Sequence, residues 1–206
     1  MTDKIDLKRA IPGYRAPRGR FEIVEIPDRR FLAVDGHGDP NTSPAYADAL
    51  AALYPVAYRL KFASKRELDR DYVVPPLEGL WWAEDMDAFT VARDKSAWHW
   101  TMMILVPEWV GADMVDDALA QVGVKEPPAR LGDVGLRVHR EGLCAQTLHI
   151  GSFDDEAPVL ARMHEEFIPS QGLHLTGTHH EIYLSDARRT APEKQRTVLR
   201  QPVCPA

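Results

Sequence analysis

The sequence predicts an α+β fold built by tandem duplication, and three observations predict it. The order strand, helix, strand, strand occurs twice along the chain. The stretches "RRFLAVDGHGDP" and "AQTLHIGSFDDE" hold equivalent places, each a strand ending in a Gly and Asp loop before a helix. A chain of 206 residues with 45% hydrophobic content suits one domain made of two fused halves. The expected plan is a single domain over residues 1–206, with an N-terminal arm, 1–19, and two pseudo-symmetric halves, about 20–122 and 131–203. Set edge to edge, the halves make a curved antiparallel sheet with helices on one face and a central ligand groove at the join. Such grooves are common ligand sites.

Met1 to Arg20 mix charges with Pro12, Gly13 and Pro17, which reads as an extended arm draped over the fold. Two extended runs follow, Phe21 to Ile26 and Arg30 to Val34, with Pro27-Asp28 as the turn. "GHGDPN" is a loop. Ser43 is placed to cap a helix whose first turn holds Pro44, where the missing N–H costs nothing. Tyr46, Leu50, Leu53, Ala57 and Leu60 recur at helical spacing and form one inward stripe. "ASKRELDRD" is a charged connection. "YVVPPLEGLWW" and "AWHWTMMILVPEWV" are two strands, joined through "AEDMDAFTVARDKS" as a loop. Gly111-Ala112-Asp113 opens a helix with Val115, Leu119 and Val122 inward.

The second half repeats the order. "LRVHREGLCAQTLHIG" holds two strand runs. "FDDEAPVLARMHEEFI" is a helix with Leu160, Met163 and Phe167 on one face, capped by Asp154 or Asp155. "GTHHEIYLS" and "QRTVLRQPV" are the closing strands.

Composition excludes several classes. The formal charge is -6 with both signs spread along the chain, so there is no basic nucleic-acid footprint. The acidic balance leaves room for cationic small molecules. Two cysteines, Cys144 and Cys204, do not make a disulfide framework or a cysteine zinc site. No apolar run reaches membrane-spanning length, and "MTDKIDLKRA" has no apolar signal-peptide core. The expectation is a cytoplasmic protein with no membrane or nucleic-acid partner and no cofactor. "HHE" suggests metal, yet His179 and His180 point to opposite faces of a strand, so no metal site is expected.

Candidate chemistry lies on the strands. In "HHEIYLS", Glu181 and Tyr183 share one face, and Ile182 and Leu184 share the other. The apolar pair suits the helix-covered core, so Glu181 and Tyr183 would face the groove. In "LEGLWW", Glu78, Leu80 and Trp82 share a face opposite Gly79 and Trp81. Two carboxylates thus stand beside aromatics on matching strands of the two halves. Isolated strand carboxylates are usually solvated, but a clustered pair beside aromatics points to a binding site.

"YVVPPLEGLWW", "WHWTMMILVPEWV" and "HHEIYLSDARRTAPEKQRTVLRQPV" together resemble the stand-alone GyrI-like small-molecule-binding proteins, from about Arg20 to Val203. These are related to the effector domains of multidrug-sensing transcription regulators. The resemblance implies an acidic residue in an aromatic cleft that receives flat, often cationic or electrophilic molecules. It implies hydrolysis of cyclopropane-bearing genotoxins for some stand-alone members. Carried onto this chain, it gives Glu181 and Tyr183 as catalytic residues and Glu78, Trp81, Trp82 and Trp100 as ligand-binding ones. The enzymatic expectation is that Glu181 activates a water as general base. The alternative is non-catalytic binding of flat cationic drugs, or effector sensing beside a regulator. No helix-turn-helix segment precedes the domain in the sequence.

Overall fold

Among the described residues nine strands form, each where the sequence alternates or runs apolar between turn residues, and every strand pairing described below is antiparallel. The computed structural model describes residues 4–84 and 94–206, so most of the expected loop 83–96 lies outside the described residues. The strands are β1 Glu22–Ile26, β2 Arg29–His37, β3 Leu77–Trp82, β4 His99–Val106, β5 Gly135–His139, β6 Gly142–Ile150, β7 Leu173–Leu175, β8 His179–Tyr183 and β9 Arg196–Pro205. The helices are α1 Leu7–Ala10, α2 Pro44–Glu67, α3 Ala112–Val122, α4 Ala157–Ala161 and α5 Ile168–Ser170. A π-helical stretch, Arg162–Phe167, joins α4 to α5.

The duplication is visible in the pairing. The first strand of each half pairs with the second strand of the other, β1 with β6 and β5 with β2. Within each half the second strand pairs with the last, β2 with β4 and β6 with β9. The chain divides into two compact units. The first holds residues 1–10, 29–75 and 83–139, and the second holds 11–28, 76–82 and 140–206.

In the first unit, β2 lies between β4 and β5. Helix α2 covers this sheet through Ala49, Leu53, Val56, Ala57 and Leu60, all buried. Both faces of β4 are buried, which explains its unbroken apolar run from Met102 to Val106. Ser43 does take the N-cap position, but its side chain makes no capping bond. The charged stretch read as a connection continues α2 to Glu67 instead. Lys61 and Lys65, one turn apart near the end of the helix, both reach Asp71, at 2.9 and 3.2 Å, and so fasten the chain that leaves it. Strand β2 also runs three residues past Val34, and Gly36 pairs with Trp100. A Cβ on Gly36 would fall 1.9 Å from the Trp100 ring, so the indole lies flat where only glycine leaves room.

In the second unit the strand order is β1-β6-β9-β8-β3, with β7 on the far end of β9. Its helical segment packs on one sheet face through Met163 and Ile168 against Ala145, with Leu160 and Phe167 beside them. That is the stripe the sequence predicts. The register puts Ala145, Thr147, Leu199, Glu181 and Tyr183 on this same face.

Ile182 and Leu184 therefore do not face the helices, contrary to the sequence expectation. They pack on the opposite face with Val198 and Leu148, under Ile11, Tyr14 and Ala16 of the N-terminal segment. Alternation correctly separates the two sets of side chains. It does not say which cover, helix or arm, each set receives.

Candidate functional site

Strand β8 delivers two different sites because its residues alternate. Its odd residues His179, Glu181 and Tyr183 point to the helical side, and its even residues His180 and Ile182 point under the arm. Opposite them on β3, Gly79 pairs with Glu181 and Trp81 with His179.

On the helical side, the Tyr183 hydroxyl donates to Glu181 Oε2 at 2.8 Å. The Tyr183 hydroxyl oxygen in turn accepts from the Trp81 indole N–H at 2.9 Å. The phenol is thereby fixed in direction, accepting from the indole and donating to the carboxylate. Gly79 makes this possible. A Cβ there would fall 2.7 Å from Trp81 Nε1 and 2.9 Å from Tyr183 Oη. Phe153 stands edge-on to the Tyr183 ring, centroids 5.7 Å apart. The other carboxylate oxygen, Glu181 Oε1, lies 3.4 Å from His179 Nε2, too long for a good hydrogen bond. The Glu181 side chain keeps 15% of its surface exposed, so the group is walled by aromatics yet reachable.

Two further groups belong to this face. The His164 ring, on the π-helical stretch, is 6.4 Å from the His179 ring. Burial pushes the His164 pKa down to about 4, helped by His179, so His164 is neutral at physiological pH. Glu156, just before α4, is buried at 4% exposure. Burial raises its pKa to about 10, and the charge of Glu181 adds to the rise against a hydrogen bond from Thr197.

Under the arm lies a buried network of charges. Glu78, 1% exposed, accepts from the Tyr14 hydroxyl and meets His180 Nε2 at 2.9 Å. His180 Nδ1 meets Glu141 at 2.7 Å, and the other Glu141 oxygen meets Arg200 at 2.8 Å. Arg200 also donates to the Gly13 carbonyl and to Gln146 Oε1. Burial drives the His180 pKa down, but Glu141 and Glu78 outweigh it and raise the value to about 9. Two carboxylates are then balanced by one imidazolium and one guanidinium, which is how buried charge is tolerated.

The sequence-predicted residues thus divide. Glu181, Tyr183 and Trp81 come together on one face. Glu78 is beneath them on the opposite face, inside the buried network, and Trp82 follows Glu78 to that side of β3. Trp100 is fully buried in the first unit, against Tyr46 and Gly36, with its indole N–H on the Gly38 carbonyl at 3.2 Å. Sequence reading missed Glu156, which sat in "FDDEAP" as one more acid at a helix start. It also missed Tyr14 and Glu141 as partners of the strand residues. Charge at a helix start carries no sign of burial, so no local signal separates Glu156 from its neighbours.

Comparison with known proteins agrees with this fold. The family model of the GyrI-like small molecule binding domain matches residues 20–203. An uncharacterized conserved protein from Listeria innocua is 39% identical, with a TM-score of 0.88, over 98% of this chain and 100% of that one. A hydrolase from Listeria innocua is 37% identical, with a TM-score of 0.86 and the same coverage. The C-terminal domain of EcmrR shares the fold at 12% identity, with a TM-score of 0.55, over 91% of this chain and 98% of that one. No curated protein matches the chain. Among the described residues no helix is long and apolar enough to cross a membrane. With the family model spanning nearly the whole chain, this protein belongs to the GyrI-like small molecule binding domain family.

Proposed function

We propose that this protein hydrolyses electrophilic, cyclopropane-bearing aromatic toxicants, with Glu181 as the general base. The observation that carries the reading is the directed chain Trp81 to Tyr183 to Glu181 on a partly exposed, aromatic-walled strand. The 37% identity to hydrolases from Listeria innocua over nearly the full length of both chains adds support.

The chemistry asks little of the protein. A flat ligand lies against the Trp81, Tyr183 and Phe153 rings, each stacking contact worth about 1 kcal/mol beyond area burial. Water attacks the strained ring carbon. A C–O bond forms, the ring C–C bond breaks, and its electron pair moves into the conjugated carbonyl. Glu181 takes the proton from the water and returns it to the new oxyanion, directly or through solvent. The net change is addition of one water. A positioned base of this kind typically contributes about 10²–10⁴-fold. Tyr183 holds the carboxylate in orientation, and Glu78 acts from below as a positioning residue through His180, the neighbour of Glu181.

The test is incubation with a cyclopropane-bearing DNA alkylator, with ring-opened product followed by mass spectrometry. Enzyme-dependent product supports hydrolysis. Saturable quenching of tryptophan fluorescence by such compounds, with none of them consumed, would instead establish a binding protein that sequesters flat molecules.

A further inference from the structure

We propose that Glu156 and Glu181 form a carboxylic acid–carboxylate couple on one sheet face, with Glu156 as the holder of the proton. This deepens the site assigned above. It rests on the hydrolytic reading for its chemical use, and on the burial and placement of Glu156 for its existence.

The geometry has four parts. The loop after β6 carries Glu156 onto the face that bears Glu181. Ser152 Oγ donates to Asp155 at 2.7 Å and His149 Nε2 meets the Ser152 carbonyl at 3.0 Å, which fixes that loop against β6. Thr197, which hydrogen-bonds the Glu156 carboxyl, pairs with Tyr183 across β8–β9 and with His149 across β6–β9. The carboxyl thus sits over the register positions next to Glu181. Finally, Glu156 is 4% exposed and its Oε1 has no hydrogen-bond partner among the described residues.

A buried carboxylate with an unpartnered oxygen is costly, whereas a protonated carboxyl is not. The charged groups acting on it are Glu181 from β8 and Asp154 on its own segment, and His149 of β6 pairs with Thr197, its hydrogen-bond partner. Both acidic neighbours, Glu181 and Asp154, oppose its ionisation. Glu181 differs in each respect. It accepts from Tyr183, has His179 nearby and is partly exposed. Of two interacting carboxyl groups the more deeply buried one gives up its charge first, and that one is Glu156. Glu156 therefore adds no second negative charge beside the group placed to take a proton from water. Glu156 is a positioning residue here and touches no reacting atom.

The experiment is an NMR titration of side-chain carboxyl carbons in the intact protein, with the Glu156 signal assigned by its loss in Glu156→Gln. The expected result is that Glu156 remains an acid through neutral pH and titrates near 10. In Glu181→Gln, which removes the neighbouring charge and keeps the shape, the Glu156 midpoint falls. A Glu156 midpoint in the ordinary range near ~4.3 overturns the couple. So does a midpoint indifferent to Glu181→Gln. The wild-type titration is read without any substrate, so failure of the hydrolytic reading leaves this result standing, and the reverse.

Discussion

Gly79 stands directly opposite Glu181 on the neighbouring strand, and the room left by its absent side chain is where the Trp81 indole meets the Tyr183 hydroxyl. Gly79→Ala places a methyl within 3 Å of both atoms. The expected outcome is loss of the indole–phenol bond and a turned Tyr183. If the chain is a hydrolase, kcat falls by about tenfold or more with the fold intact. A crystal structure of Gly79→Ala with both rings unmoved would remove the glycine from the account.

Tyr183→Phe keeps the ring against Phe153 and deletes the proton donated to Glu181. Circular dichroism should be unchanged. The loss should fall on kcat more than on KM, since the ring still meets ligand while the carboxylate loses its orienting bond. A change confined to KM would make Tyr183 a binding surface only.

The buried network gives a pH dependence with a definite sign. His180 has its pKa raised to about 9 in the fold, against about 6.5 when unfolded. Its stabilisation is fully present below about pH 6.5 and is lost as pH rises through about 9. The amount at stake is of order 3 kcal/mol. His180→Gln should therefore destabilise strongly in denaturant titrations near pH 6, with the deficit narrowing above about pH 9. An equal deficit at both pH values would mean that His180 is not charged in the native state.

The legibility of this chain in its sequence follows from what each signal reports. Period-two alternation in "HHEIYLS" correctly put Glu181 with Tyr183, because strand geometry alone decides that. The tandem order was readable from turn residues and helix stripes. The exchange of first strands was not, since β1 and β6 are more than a hundred residues apart and pair through backbone groups that every residue carries. Glu78 misled for a related reason. A carboxylate beside tryptophans looks like a ligand site, and only the contacts with Tyr14 and His180, distant in sequence, reveal an internal ion pair. Trp100 entered as a ligand-binding residue through the resemblance, and its burial on Gly36 depends on the β2–β4 register.

The most direct measurement of the central claim pairs wild type with Glu181→Gln on one cyclopropane-bearing aromatic alkylator. Ligand binding is read by tryptophan fluorescence and ring-opened product by mass spectrometry. The account predicts that Glu181→Gln still binds the compound while kcat drops by at least about 10²-fold. Equal rates of ring opening by the two proteins would contradict it.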